Sequence, residues 1–213
     1  MNIFIFDDHA MLRQGLKASF SNEKEFTVVG EAGTIESAKK IINSYQSNQE
    51  QVAIAIVDVG FTGEKETVET TLGFELAKFI VQSGKNIRVI MFSSYCGGGY
   101  VQYAMSNECR ASGYVSKQSS PEVLMQAVRE VAAGGTYIEQ RLIFEMMQTK
   151  DIYSALTQKE KEVLHYIQME YSTEAISKEL NISTRTVENH FSRIYDKTGT
   201  TNRTELVNMF GRM

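Results

Sequence analysis

Five short apolar runs divide the first 135 residues: Ile3–Phe6, Phe26–Gly30, Ala53–Val57, Ile87–Phe92 and Gly113–Ser116. Each is followed by a stretch with helical spacing. Met11, Leu12, Leu16 and Phe20 share one side of the first. Thr34 is placed to cap a second that runs to about Tyr45. Gly73–Val81 carries Phe74, Ala77, Phe79 and Ile80, and Tyr100–Cys109 has a weaker helical pattern. Ser120 followed by Pro121 opens the last, which extends to about Ala133. A run such as AIAIV is apolar at consecutive positions, so both of its faces are buried. Strands of that kind, alternating with helices, predict an α/β fold: a doubly wound, five-stranded parallel sheet covered on both sides.

The pattern changes after Gly134–Gly135. Arg141–Tyr153 reads as a short helix and linker, and from Thr157 onward every segment has helical periodicity. Thr157 and Glu160 have capping-box spacing ahead of Val163, Leu164 and Ile167. Thr173–Leu180 turns Ala175, Ile176 and Leu180 inward, and Asn181-Ile182 makes a tight turn. A helix from Ser183 carries Val187, Phe191 and Ile194 at core spacing and ends at Gly199. A last helix spans about Arg203 to Phe210. The predicted organisation is an α/β domain over 1–135, a linker over 136–154, and a small all-α domain over 155–213.

Charge and composition narrow the function classes. The chain has 213 residues, 42% hydrophobic and 23% charged, with a net charge of −4, so it is not an obvious polyanion binder. Its apolar runs are too short to span a membrane, and the N-terminus lacks the pattern of a secretory signal, which predicts a cytoplasmic protein. Cys96 and Cys109 have neither metal-ligand spacing nor a disulfide framework, so both are expected to be reduced structural thiols.

The strand ends carry the chemistry. In an open parallel sheet the functional crevice lies at the carboxyl ends of the strands. Here strand one runs into Asp7 and Asp8, strand three into Asp58, strand four into Ser93 and strand five into Lys117. Two adjacent carboxylates repel each other and resist losing water. Any single Asp could simply cap the helix that follows it. Three carboxylates converging suit a hard divalent cation such as Mg²⁺, with Ser93 as a hydroxyl donor and Lys117 as a mobile charge for a phosphoryl oxygen.

The order Asp7-Asp8, Asp58, Ser93, Tyr114-x-x-Lys117 resembles the receiver domain of bacterial two-component response regulators, a flavodoxin-like fold, over about residues 1–135. The resemblance implies that Asp58 is phosphorylated by a sensor histidine kinase. It also implies that Asp7, Asp8 and Asp58 hold Mg²⁺ with the backbone carbonyl of Gly60. Ser93 would bind a phosphoryl oxygen and move toward it, Lys117 would pair with the phosphate, and Tyr114 would swing inward when Ser93 moves. Two departures stand out. The stretch DVGFTGEKETVETTLG makes the connection from Asp58 to Gly73 longer than usual, with Glu64, Lys65, Glu66 and Glu69 marking a solvated loop. CGGGY after Ser94 places three glycines at the start of the fourth helix, which should loosen it.

A helix, a turn and a second helix with a polar outer face is a helix-turn-helix pattern, common by itself. The stretch LTQKEKEVLHYIQMEYSTEAISKELNISTRTVENHFSRIYDKTGTTNRTEL resembles LuxR-type DNA-binding domains almost position by position over 155 to about 210, with Glu170-Tyr171 where a Gly is usual. The third helix of this part can be read without the family. With Val187, Phe191 and Ile194 inward, Arg185, Asn189 and Ser192 face outward, flanked by Glu188 and Arg193. Its N-terminal half is the part that enters a major groove. Asn189 can read adenine, Arg185 guanine or phosphate, and Glu188 cytosine. Thr173, Ser183 and Thr184 sit at helix N-termini where phosphates bind, and Lys178, Lys197 and Arg203 are candidate backbone contacts. The same residues could form only a solvated polar face. Residues 151–213 carry eight basic and nine acidic side chains, so nonspecific affinity should be modest. His190 reads as a packing or phosphate-facing residue rather than a metal ligand.

Together the two resemblances imply a NarL/FixJ-type response regulator, a transcription factor that binds promoter double-stranded DNA. It is expected to accept a phosphoryl group without turning over a substrate. The apolar residues Leu206, Val207, Met209 and Phe210 of the last helix suggest a homodimer on DNA. Two other readings of the acid cluster are a Mg²⁺-dependent phosphatase and a phosphoryl-accepting interaction module without DNA output. The phosphatase reading calls for carboxylates spaced D-x-D, whereas Asp7 and Asp8 are adjacent.

Overall fold

The computed structural model describes residues 1–46, 51–60 and 72–211. The expected solvated loop with Glu64, Lys65, Glu66 and Glu69 lies outside the described residues. Two compact units divide the chain: Met1–Tyr95 with Tyr103–Glu139, and Cys96–Gln102 with Gln140–Met213.

The first unit is built on a parallel sheet. Its strands are β1 (Asn2–Phe6), β2 (Thr27–Ala32), β3 (Ala53–Val57), β4 (Ile87–Ser93), β5 (Gly113–Ser116) and β6 (Tyr137–Ile138). Their spatial order is β2-β1-β3-β4-β5-β6, every pair parallel. The helices are α1 (Ala10–Ser21), α2 (Ile35–Ser44), α3 (Leu72–Gln82), α4 (Gly98–Ala104, shared at its start with the second unit) and α5 (Pro121–Ala132). The expected five-stranded sheet therefore has six strands. The extra one is two residues long, too short for periodicity to reveal, and it lies within the stretch expected to be linker.

Alternation along the strands separates two faces. Ile3, Ile5, Ile54, Ile56, Ile90, Phe92 and Val115 pack under Leu16 and Phe20 of α1 and Leu124, Val128 and Val131 of α5. On the other face Phe4 meets the ring of Tyr45 edge-on at 4.9 Å, beside α2. The carbonyls at the end of α2 are satisfied by Lys85, whose ammonium donates to Ile42 at 2.6 Å and Asn43 at 2.9 Å. Met11, expected on the inner side of α1, is instead 88% exposed. Among the helix starts, Thr34 caps α2 by accepting from the Ser37 amide, while Ser120 precedes Pro121 without a side-chain cap bond. Both cysteines are free, and burial pushes the Cys109 thiol up to about 11, which leaves it protonated and inert.

The second unit contains α6 (Gln140–Ala155), α7 (Gln158–Gln168), α8 (Thr173–Leu180), α9 (Thr184–Thr198) and α10 (Arg203–Phe210). Thr157 and Glu160 form both bonds of a capping box ahead of α7. Ser172 caps α8 and Ser183 caps α9, each accepting from the amide three residues on. Between these helices Asn181 takes the left-handed conformation (φ 51°), which turns the chain in three residues. The core joins Val163, Leu164, Ile167, Ile176, Val187, Phe191, Ile194 and Leu206. Leu206, Val207 and Phe210 are buried in that same cluster, with Met209 partly so, and the expectation that α10 leaves spare apolar surface for a second copy does not hold.

The departure at Glu170 has a physical cost. After α7 the chain enters the left-handed region at Glu170 (φ 61°), with the Tyr171 amide closing back onto the Tyr166 carbonyl. An L-residue there is strained by its Cβ, whereas glycine is not. Glu170→Gly should raise the stability of the chain by about 0.5–1 kcal/mol in urea titration, after the larger backbone entropy of glycine in the unfolded chain is counted. A lower midpoint would show that the Glu170 side chain contributes more than its backbone costs.

Candidate phosphoryl site and nucleic-acid interface

The sheet register sets the first site. Phe6 pairs with Val57, and Ser93 with Ser116, so β1 and β3 end level with each other, as do β4 and β5. The ladder continues one step beyond: the Asp58 amide donates to the Phe6 carbonyl and the Lys117 amide to the Ser93 carbonyl, both at 2.9 Å. The next side chains, Asp7, Asp58 and Lys117, consequently point into one crevice.

Asp7 and Asp58 are 2% and 4% exposed, and the Lys117 ammonium lies 2.7 Å from a carboxylate oxygen of each. Burial raises the Asp58 pKa most; Lys117 opposes that shift, while the neighbouring Asp7 charge adds to it, and the net is upward. Burial alone would lower the Lys117 pKa, but Asp58 and Asp7 outweigh it and hold the ammonium charged. The Asp58 Oδ1 accepts from the Gly60 amide at 3.2 Å, and the Asp7 Oδ1 from the His9 amide at 2.9 Å. These bonds fix both carboxylates.

Asp7, Asp8, His9 and Asp58 each offer one ligand atom, all within 4.8 Å of one another. The donor set is dominated by carboxylate oxygen, which suits a hard cation. A dication here would also relieve the raised Asp58, whose burial and whose neighbour Asp7 both disfavour its charge.

Ser93 is fully buried, and its hydroxyl accepts from the Tyr95 amide at 3.1 Å. Tyr114 is already inside, with no exposed surface, and its hydroxyl donates to the Tyr95 carbonyl. The Tyr95 ring lies over Gly60, where a Cβ would fall 3.0 Å from it. Tyr95 thus joins three residues singled out from the sequence, and nothing in its local pattern announces that role.

His9 and Arg13 were also missed. His9 Nδ1 sits 2.7 Å from Asp8 and 3.3 Å from Asp7, although its side chain is 71% exposed. Its position directly after Asp7-Asp8 was the available signal. The Arg13 guanidinium donates to the Asp7 carbonyl at 2.6 Å, tying α1 to the end of β1.

In the second unit α9 presents Arg185, Glu188, Asn189, Ser192 and Arg193 exposed, opposite buried Val187, Phe191 and Ile194. Ser183 caps α9, and Thr184 and Thr173 are the first helical residues of α9 and α8. Ser172, the true cap of α8, was not singled out.

Two expected phosphate contacts have other partners. Lys197 lies 2.7 Å from Glu160, which is 2% exposed, and also donates to the Ala155 carbonyl at 3.3 Å. Burial alone would raise the Glu160 pKa, but the Lys197 pair and the Thr157 hydrogen bonds hold it at about 2. Arg203 donates to the Tyr171 carbonyl and stacks over the Phe191 ring, 5.5 Å from its centroid. Both side chains thus hold the helices of the unit together.

Comparison with known proteins assigns a family to each unit. Residues 3–129 match the family model described as response regulator receiver domain, and residues 154–210 match that of bacterial regulatory proteins, luxR family. The chain belongs to the response regulators with a luxR-family output domain. It is 30% identical to the transcriptional activator protein ExaE of Pseudomonas putida, covering 98% of this chain and 95% of that one. It is 28% identical to the transcriptional regulatory protein DegU of Brevibacillus brevis, covering 97% and 91%. The structure of RcsB from Salmonella enterica serovar Typhimurium, bound to promoter rprA with a phosphomimetic beryllofluoride, superposes with a TM-score of 0.69 at 23% identity, covering 99% and 98%. That likeness shows the fold alone. This response regulator is a DNA-binding transcription factor, and no helix among its described residues is long and apolar enough to cross a membrane.

Proposed function

We propose that Asp58 accepts a phosphoryl group from a sensor histidine kinase, and that this acylphosphate controls binding of the luxR-family unit to promoter DNA. The observation that carries the reading is the Lys117 ammonium held at 2.7 Å from both Asp7 and Asp58, on strands that end level. An Asp58 oxygen forms the new bond to phosphorus while the bond from phosphorus to its donor breaks. Lys117 then exchanges a carboxylate partner for a phosphoryl oxygen, keeping its charge compensated throughout. The buried Ser93 hydroxyl donates to another phosphoryl oxygen, which withdraws it from the Tyr95 amide and so disturbs the segment that Tyr114 holds. Asp7, Asp8 and Asp58, with the carbonyl of Gly60, fit Mg²⁺, which would neutralise charge on the transferred oxygens. The protein acts in the cytoplasm and is not a turnover enzyme.

On the output side, Asn189 reads adenine, Arg185 reads guanine or phosphate, and Glu188 accepts from cytosine. Ser192 and Arg193 flank them, and Thr173, Ser183 and Thr184 meet phosphates at helix N-termini. The protein binds as a homodimer on two half-sites, and RcsB, which shares this fold, forms two dimers bound to two parallel DNAs. The test is a titration of the full chain against a site selected from randomised DNA. Acetyl phosphate with Mg²⁺ should tighten binding at least tenfold, a change of about 1.4 kcal/mol. Asn189→Ala should cost about 1–3 kcal/mol and relax preference at one base pair. Unchanged affinity and preference in that variant would refute the docking of α9.

A further inference from the structure

We infer that Glu139 is a positioning residue for Lys117, an inference that rests on the phosphoryl-accepting role of Asp58. The sixth strand ends at Ile138, and the Glu139 amide makes one further ladder bond, donating to the Tyr114 carbonyl at 3.2 Å. Its side chain then does what a longer strand would have done with backbone. The carboxylate Oε2 accepts from the Ser116 amide at 3.1 Å and from the Ser119 hydroxyl at 2.7 Å. Ser116 and Ser119 bracket Lys117. The turn between them is closed by the Ser119 amide on the Ser116 carbonyl at 3.0 Å and the Gln118 amide on the Ser116 hydroxyl at 3.2 Å.

The backbone that carries Lys117 is therefore gripped from both sides. On the β4 side the Lys117 amide is held by the Ser93 carbonyl, itself part of the phosphoryl site. On the β6 side the Glu139 carboxylate takes part in the grip through its Oε2. Lys117 must leave Asp7 and Asp58 for a phosphoryl oxygen without losing register, and a misplacement of about 1 Å costs about a hundredfold in rate. Glu139 is also the last residue before α6. The turn that senses the phosphoryl charge through Lys117 is thus bonded to the residue where the chain leaves the sheet.

The experiment follows phosphorylation of the full chain by acetyl phosphate while the acetyl phosphate and Mg²⁺ concentrations are varied. Glu139→Ala should lower the maximal rate about tenfold and move the half-saturating Mg²⁺ concentration less than about twofold, since the cation ligands are elsewhere. Glu139→Gln should stay within about twofold of the wild type, because one oxygen accepts both bonds and an amide oxygen can do the same. Ser119→Ala removes one of the two bonds while leaving the fold intact, and should cost about threefold. In a Lys117→Ala background, Glu139→Ala should add less than about twofold, as expected of a residue that acts through that lysine. Wild-type rates in Glu139→Ala and Ser119→Ala, a failure of Gln to rescue, or an undiminished loss in the Lys117→Ala background would each overturn the inference alone. Absence of labelling in the wild type would instead remove the Asp58 reading and this inference with it.

Discussion

Gly73→Ala should destabilise the receiver unit by about 3 kcal/mol or more, the largest single-residue effect on its fold. A Cβ at Gly73 would fall 1.7 Å from the Asp58 carbonyl oxygen, 2.7 Å from its carbon and 2.8 Å from the Val59 Cα. All three are backbone atoms, so no rotamer change relieves the overlap. The close approach exists because the start of α3 is drawn against the end of β3, with the Gly73 amide donating to the Val59 carbonyl at 3.2 Å. Either α3 moves out or Asp58 is pushed off its place, and both routes damage phosphorylation. Thermal unfolding of the full chain should show the receiver transition lowered by roughly 10 °C. An unchanged midpoint would mean that α3 does not start where the structure puts it.

Lys197→Met should destabilise the output unit by about 2–3 kcal/mol. The variant leaves the Glu160 carboxylate buried with its Thr157 hydrogen bonds but without a counter-charge, while the Met stem keeps the packing of the Lys chain. The same pair predicts a pH dependence. The Glu160 pKa is depressed from its ordinary 4.5 to about 2, so its stabilisation is fully present above the ordinary value and is lost as pH falls through about 2. Wild-type stability of the output unit should therefore decline between about pH 4.5 and pH 2, and Lys197→Met should flatten that decline. If Lys197 were a phosphate contact instead, the variant would keep its melting temperature and lose about one unit of salt slope. Melting and salt titration on one sample separate the two.

The parts of this protein that could be read from its sequence are those written in local patterns. Runs such as AIAIV announce buried strands, and the charge or hydroxyl directly after the first, third, fourth and fifth runs announces the crevice, which made Asp7, Asp58, Ser93 and Lys117 legible in the sequence. The alternation of Val187, Phe191 and Ile194 likewise fixed the exposed side of α9. What escaped has no local signature. Two residues of β6 cannot display a period. Lys197 meets Glu160 across 37 residues and Arg203 meets Tyr171 across 32, so their partners within the unit could not be read from local sequence. Met11 fits an apolar stripe on α1, yet it lies at the edge of what the sheet can cover. Tyr95 acts through its own backbone amide and carbonyl, and Glu139 through the Ser116 amide and the Ser119 hydroxyl, 23 and 20 residues away, which no local pattern of residue types records.

One mass measurement tests phosphorylation of Asp58 most directly. The full chain is incubated with acetyl phosphate and Mg²⁺, and the intact masses of the wild type and of Asp58→Asn are compared. Asp58 is the carboxylate that meets Lys117 with Gly60 on its second oxygen, and it is predicted to be the acceptor. One added phosphoryl group on the wild type and none on Asp58→Asn is the predicted result. A variant that labels as fully as the wild type would place the acceptor on another residue and contradict the account.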